Sequence, residues 1–164
     1  MTEWRPLDRS KEGVSMSEVR AATDESTMLG VVEQYFIRSD ASRTDVFDLF
    51  TEDVEIFFPK FGIATGKDAL RELGAGLLSR LKELVHDLSG FKYVVGLNAV
   101  VVEGTTRGTV LSGDGWTGGK TPGGRFCSVF KFRDGLIARM YIYLDPDYTS
   151  LDRDRFLWGT DRRW

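Results

Sequence analysis

Few side chains in this 164-residue protein are equipped for chemistry, and their scarcity narrows the reading. There is one Cys and one His. A lone Cys127 excludes an internal disulfide, and with only His86 beside it no Cys/His zinc site can form. His86 is therefore the sole imidazole, the group that accepts a proton and returns it near neutral pH. No serine sits in a GxSxG turn, so nucleophilic catalysis is poorly supported.

Two further patterns imitate binding motifs. Gly113-Asp114-Gly115-Trp116-Thr117-Gly118 fits GxGxxG, and Gly119-Lys120-Thr121 looks like the end of a phosphate loop. Both motifs aim the amides of a helix N-terminus at phosphate, so a helix must follow. Here Pro122, Gly123 and Gly124 follow, then a strand, and the Asp114 carboxylate would repel an anion. A mobile loop between two strands, placed to cover a pocket mouth, is the expectation. Asp145, Asp147, Asp152 and Asp154 suggest a cation cluster, but the mid-loop Gly and closing Glu of a calcium loop are missing. Arg153 and Arg155 alternate with these acids, as on a solvated tail. Neither a metal nor a cofactor is expected.

Around these residues stands one ordinary domain, with 41% hydrophobic and 29% charged residues. A net charge of −3 gives no electrostatic reason for nucleic-acid binding. The longest apolar run, Met140 to Leu144, is far shorter than the roughly eighteen residues a membrane span requires. The opening MTEWRPLDRSKEG lacks an apolar signal region, so a cytoplasmic setting is expected. The 11 Phe, 5 Tyr and 4 Trp are a generous supply for lining a hollow. The organisation expected is an arm over 1–25, a domain over 26–148 and a tail over 149–164.

The elements that must position these groups follow from hydrophobic period. Asp24 or Ser26 can cap a helix carrying Met28, Val31, Val32, Tyr35 and Phe36 on one face, broken at Asp40 to Ser42. Thr44 and Asp45 open a short second helix, and Val54 to Phe58 forms a strand stopped by Pro59. Gly66 opens a third helix predicted to run from Lys67 to about Leu88, with His86 in its last turn, where an imidazolium would meet the helix dipole. Then the period changes to two: 91–97, 99–112, 125–132 and 136–144 read as strands, the last two joined at Arg133-Asp134-Gly135. Three helices followed by antiparallel strands predict an α+β fold, a curved sheet with helices on one face.

That order resembles the nuclear transport factor 2-like fold of ketosteroid isomerases, scytalone-type dehydratases and SnoaL-like polyketide cyclases. Val31-Val32-Glu33-Gln34-Tyr35, Leu49-Phe50-Thr51-Glu52-Asp53-Val54 and Gly66-Lys67-Asp68-Ala69-Leu70 carry the resemblance in the helical half. Val100 to Thr109 looks like the long SnoaL strand, and Phe130 to Ile137 like the last hairpin. The resemblance implies a cone-shaped α+β barrel whose sheet, curved and mixed or antiparallel, curls with three helices around an apolar cavity. Alternation then turns Phe126, Ser128, Phe130 and Phe132 inward together, likewise Met140, Ile142 and Leu144, and on the long strand Gly104, Thr106, Gly108 and Val110. The two glycines are expected to leave room for a ligand. An outer face of Glu103, Arg107, Arg139, Tyr141 and Tyr143 suits a homodimer interface.

Residue by residue, the resemblance also implies a depleted catalytic set. Pro59 stands where the isomerases place their base, Ser128 replaces the second acid, and Val110 replaces the cyclase histidine. The isomerase tyrosine remains as Tyr35, and His86 lies near the position of the dehydratase histidine. The expected site is therefore His86 as acid–base and Tyr35 as oxyanion donor, with core packing the alternative role for Tyr35. Ser128, Thr106 and Trp116 would orient substrate among Phe57, Val110, Phe126, Phe130, Met140 and Ile142. The function implied is a cofactor-independent lyase, isomerase or cyclase for a small apolar polyketide-, terpenoid- or steroid-like molecule. The alternative is a non-catalytic ligand-binding or dimeric interaction module.

Overall fold

A computed structural model describes residues 24–153, so the 1–23 arm and the 154–164 part of the tail lie outside the described residues. The first helix, α1, spans Glu25–Asp40; Asp24 caps it by accepting from the Thr27 amide at 3.2 Å. Its buried face is Met28, Val32 and Phe36, part of the stripe expected from the 3.6-residue period. The short second helix is a 3₁₀ turn, Thr44–Leu49, running directly into strand β1, Phe50–Phe58. After Pro59, positive φ at Lys60 (67°) and Gly62 (87°) reverses the chain into β2, Gly62–Thr65, which pairs antiparallel with β1. Gly66, at φ 93°, turns the chain into α2.

Here the structure corrects the sequence reading. Helix α2 covers only Lys67–Leu78, and the residues beyond it form strand β3, Leu81–His86. Leu81, Leu84 and Val85 satisfy a helical period and also fit a short strand, and a run of this length cannot be assigned by period alone. Two glycines, Gly74 and Gly76, weaken the helix just ahead of the break. The Ser79 hydroxyl then bonds the Gly76 carbonyl at 2.7 Å as the helix ends. His86 consequently occupies a strand end opposite Thr106, and the helix-dipole role proposed for it disappears.

Strands β4 (Lys92–Gly96), β5 (Ala99–Val110), β6 (Gly115–Thr117), β7 (Arg125–Arg133) and β8 (Leu136–Leu144) complete the sheet. Its order is β2-β1-β8-β7-β5-β3, with β4 and β6 also on β5. The β1–β8 pair is parallel and every other pair antiparallel, so the eight-stranded sheet is mixed. The first half of β5 pairs with β4 and β7, and its second half with β3 and β6. This exchange of partners turns the wall inward: the sheet is curved and unclosed, and the fold is the expected cone-shaped α+β architecture.

The core lies between α1 and the concave face, where Val32, Phe36, Phe50, Val54, Ile56, Phe130 and Ile137 are buried. Phe126, Ser128, Phe130 and Phe132 all point into it, as alternation demands. A register shift between Lys131 and Phe132 brings both Ile137 and Met140 inside. The inner glycines do not leave ligand space. A Cβ at Gly104 would fall 2.6 Å from the Phe91 ring, and one at Gly108 2.3 Å from that of Trp116. Aromatic rings occupy that room. No described helix is long and apolar enough to cross a membrane.

Candidate functional site

A cavity of about 700 Å³ opens between the helices and the concave wall. Its deep lining is mainly apolar: Phe36, Phe50 and Phe58 from the α1 and β1 side, Phe126 from β7, and Met140, Ile142 and Leu144 from β8. Its rim is polar and exposed, formed by Ser42, Arg43, Thr44, Arg71, Lys82 and Glu83. The Arg43 charge is engaged by Asp45, and the Arg71 guanidinium lies 4.9 Å over the Phe47 ring while pairing with Asp68.

One wall of this cavity holds a hydrogen-bonded His–Asp pair. Asp40, the last residue of α1, accepts from the His86 backbone amide at 2.9 Å, and its other oxygen lies 2.5 Å from His86 Nδ1. Both side chains are mostly shielded, at 15% and 17% exposure. An ionised carboxylate can only accept, so Nδ1 carries the proton and Nε2 is the ring's basic nitrogen. The backbone contact fixes the strand and the side-chain contact fixes the ring, from a single carboxylate. Phe36, Phe91 and Phe126 surround the imidazole edge-on, with ring centroids at 4.8, 6.3 and 5.4 Å. In the sequence Asp40 stands only as a helix breaker. It stands 46 residues from His86, and no local pattern announces that contact.

Tyr35 lies one turn earlier on α1 and lines the same cavity. Burial pushes its phenol up to about 12, opposed by a side-chain hydrogen bond with Ser39 and reinforced by the Asp40 charge. At neutral pH it therefore keeps its proton and can donate it. A second buried phenol lining the cavity, Tyr148, was not singled out in the sequence. Its pKa is also raised to about 12, by burial first and then by the neighbouring Tyr35.

The other expected site residues divide. Ser128, Thr106, Phe126, Met140 and Ile142 line the cavity with His86 and Tyr35. The Thr106 hydroxyl already accepts from Trp116 Nε1 at 3.0 Å. Trp116, Val110, Phe130 and Phe57 do not line it. Trp116 is buried behind Thr106, with Val110 packed in the same cluster. Phe130 is wholly buried in the core under Tyr35, and Phe57 lies on the outer face against Tyr141 and Tyr143. Parity places alternate side chains on one face, but it does not distinguish a cavity wall from the packed core beneath it.

The glycine-rich segment also departs from expectation. It forms β6 on β5, buries Trp116, and is tied down by bonds from Thr106 N to Gly124 O (2.7 Å) and from Gly118 N to Thr106 O (2.9 Å). It packs against the wall and does not arch over the mouth. Among the described residues, no three His, Cys, Asp or Glu side chains gather as a metal site would require.

Comparison with known proteins places the fold. A family model described as a SnoaL-like domain matches residues 32–140. A nuclear transport factor 2-like protein from Anabaena variabilis superposes with a TM-score of 0.63 at 19% identity, covering 82% of this chain and 98% of that one. TerC, co-crystallised with polyporic acid, gives 0.61 at 19% identity over 73% of this chain and 92% of its own. A protein provisionally named a polyketide cyclase, from Xanthomonas campestris, gives 0.61 at 17% identity over 74% and 92%. Among curated proteins, no match is found.

Proposed function

Because the chain belongs to the SnoaL-like domain family, we propose that it is a cofactor-independent lyase, isomerase or cyclase for a small, largely apolar polyketide-, terpenoid- or steroid-like molecule. The observation that carries this reading is the His86–Asp40 pair, at 2.5 Å, set in the wall of an apolar cavity of about 700 Å³. A cavity plugged by Phe57, Phe126, Phe130 and Met140 would have favoured a mere interaction module. Two of those four lie elsewhere, and the hollow is open.

The chemistry follows from the groups. His86 Nε2 removes a proton from carbon next to a substrate carbonyl, and Asp40 holds the ring in the competent tautomer. The electron pair moves onto the carbonyl oxygen, where the Tyr35 hydroxyl donates to the developing charge. The imidazolium then returns its proton, to another carbon in an isomerisation or to a leaving hydroxyl in a dehydration. Asp40 and His86 thus form an acid–base pair in a chain that carries Pro59 and Ser128 where the resemblance implies the isomerase and cyclase acids.

The test needs no natural substrate. In deuterated buffer, the protein should accelerate exchange of the acidic C–H of 2-tetralone and larger aromatic ketones, followed by NMR. His86→Ala and Tyr35→Phe should each slow that exchange at least tenfold, and Asp40→Asn should slow it without abolishing binding. Exchange no faster than in buffer, or indifferent to His86→Ala, would refute the assignment. We further infer a homodimer through the outer sheet face, where Phe57, Tyr141 and Tyr143 cluster.

A further inference from the structure

We infer that Tyr148 is a second hydrogen-bond donor of the cavity, set in place by the glycine-rich segment 113–124, and that with Tyr35 it selects ligands bearing an enol or phenol oxygen. This rests on reading the cavity as a ligand site; it adds a residue and a ligand class.

The placement is built from the segment's own packing. Trp116 is fixed by its Nε1 bond to Thr106, and its indole packs tilted against the Tyr148 ring, with centroids 4.5 Å apart and planes 30° apart. Gly123 brings its backbone so near Tyr148 that a Cβ there would fall 2.0 Å from the Tyr148 carbonyl oxygen. At Gly124, φ is +93° and a Cβ would meet the Trp116 ring at 2.6 Å. Glycine at both positions is thus a condition for the indole and the phenol to pack together. The motif that imitates a phosphate loop has a different use: it builds a shelf under one tyrosine.

Tyr148 is 6% exposed, yet it borders the cavity together with Tyr35, Ser128 and His86. A buried phenol that retains its proton is a donor of fixed direction. Two such donors lining one mainly apolar cavity favour an oxygen that gains negative charge, as an enolate or phenolate does. A plain hydrocarbon gains nothing from either.

The probe is 4-nitro-1-naphthol, whose anion is coloured, paired with 1-nitronaphthalene, which lacks the hydroxyl. Each is titrated into the full-length chain, its Tyr148→Phe variant and its Tyr35→Phe variant. The expected result is about tenfold weaker binding of the naphtholate in each variant, since one charge-assisted hydrogen bond is lost. Binding of 1-nitronaphthalene should be unchanged, as the ring packing remains. Naphtholate binding weakened in Tyr35→Phe but untouched in Tyr148→Phe overturns this inference and leaves the proposed function standing. Equal weakening of both probes in Tyr148→Phe also overturns it, assigning the residue to packing. If neither probe binds the parent chain, the ligand-site reading fails and this inference falls with it.

Discussion

Tyr35 and Tyr148 join site chemistry to stability, because both hold a proton that water would remove near pH 10. Each phenol is raised to about 12, chiefly by burial. In the unfolded chain both ionise near pH 10, whereas in the folded chain they do not. Their contribution is therefore fully present below pH 10 and is lost as pH rises from 10 to 12. The linkage slope is about 1.4 kcal/mol per pH unit per phenol. Thermal melts between pH 8 and 12 should show stability falling steeply above pH 10. Tyr35→Phe and Tyr148→Phe should each flatten that fall, and identical slopes in all three proteins would contradict the assignment. At neutral pH both groups are protonated donors, the state that the proposed chemistry uses. The repeating helical face placed Tyr35 on the inner side of α1, and only the family resemblance suggested a site role for it. Asp40 was not legible, since a carboxylate after an amphipathic stripe looks like a terminator and its partner lies across the fold.

At the scale of elements, the strands of the second half were readable because two-residue alternation runs through β7 and β8 with a tight hairpin between them. The error fell on β3, where an apolar run too short to reveal its period follows a true helix. Its strand character is decided by β5, an element still to come in the chain. The inner glycines were misjudged for a related reason: alternation gives the direction of a missing side chain, not what fills the gap. Gly108 lies where β3, β5 and Trp116 meet, and a Cβ there would be 2.2 Å from the Glu83 carbonyl oxygen and 2.3 Å from the indole. Gly108→Ala should therefore destabilise the fold by roughly 3 kcal/mol, at the upper end of overpacking effects. Gly30→Ala is the control: in α1 a Cβ meets nothing within 4 Å, so alanine should add about 1 kcal/mol of stability. Denaturant midpoints measure both. A Gly108→Ala protein as stable as its parent would mean that the indole does not press against this strand.

For the whole molecule, the two faces of the sheet have different fates. The concave face packs against α1 and lines the cavity. The outer face carries the three-ring cluster of Phe57, Tyr141 and Tyr143, with centroids 5.5 to 6.4 Å apart, and Tyr143 is 48% exposed. Its charges are already organised: the Tyr141 hydroxyl donates to Glu55 at 2.6 Å, and the Arg139 guanidinium covers the Tyr141 ring at 4.7 Å. An exposed aromatic patch flanked by charged side chains suits a two-fold contact, in which the same residues meet their own copies. Sedimentation at micromolar concentration should thus give a species of about twice the 18.5 kDa chain mass. Tyr143→Glu sets like charges across the two-fold and should yield the monomer with its fold intact by circular dichroism. A parent chain that sediments only as 18.5 kDa would remove the dimer. The cavity rim lies on the helical side, at Arg43, Thr44 and Arg71, away from this face. Ketone exchange should consequently survive Tyr143→Glu, and its loss on dissociation would mean that the second copy completes the site.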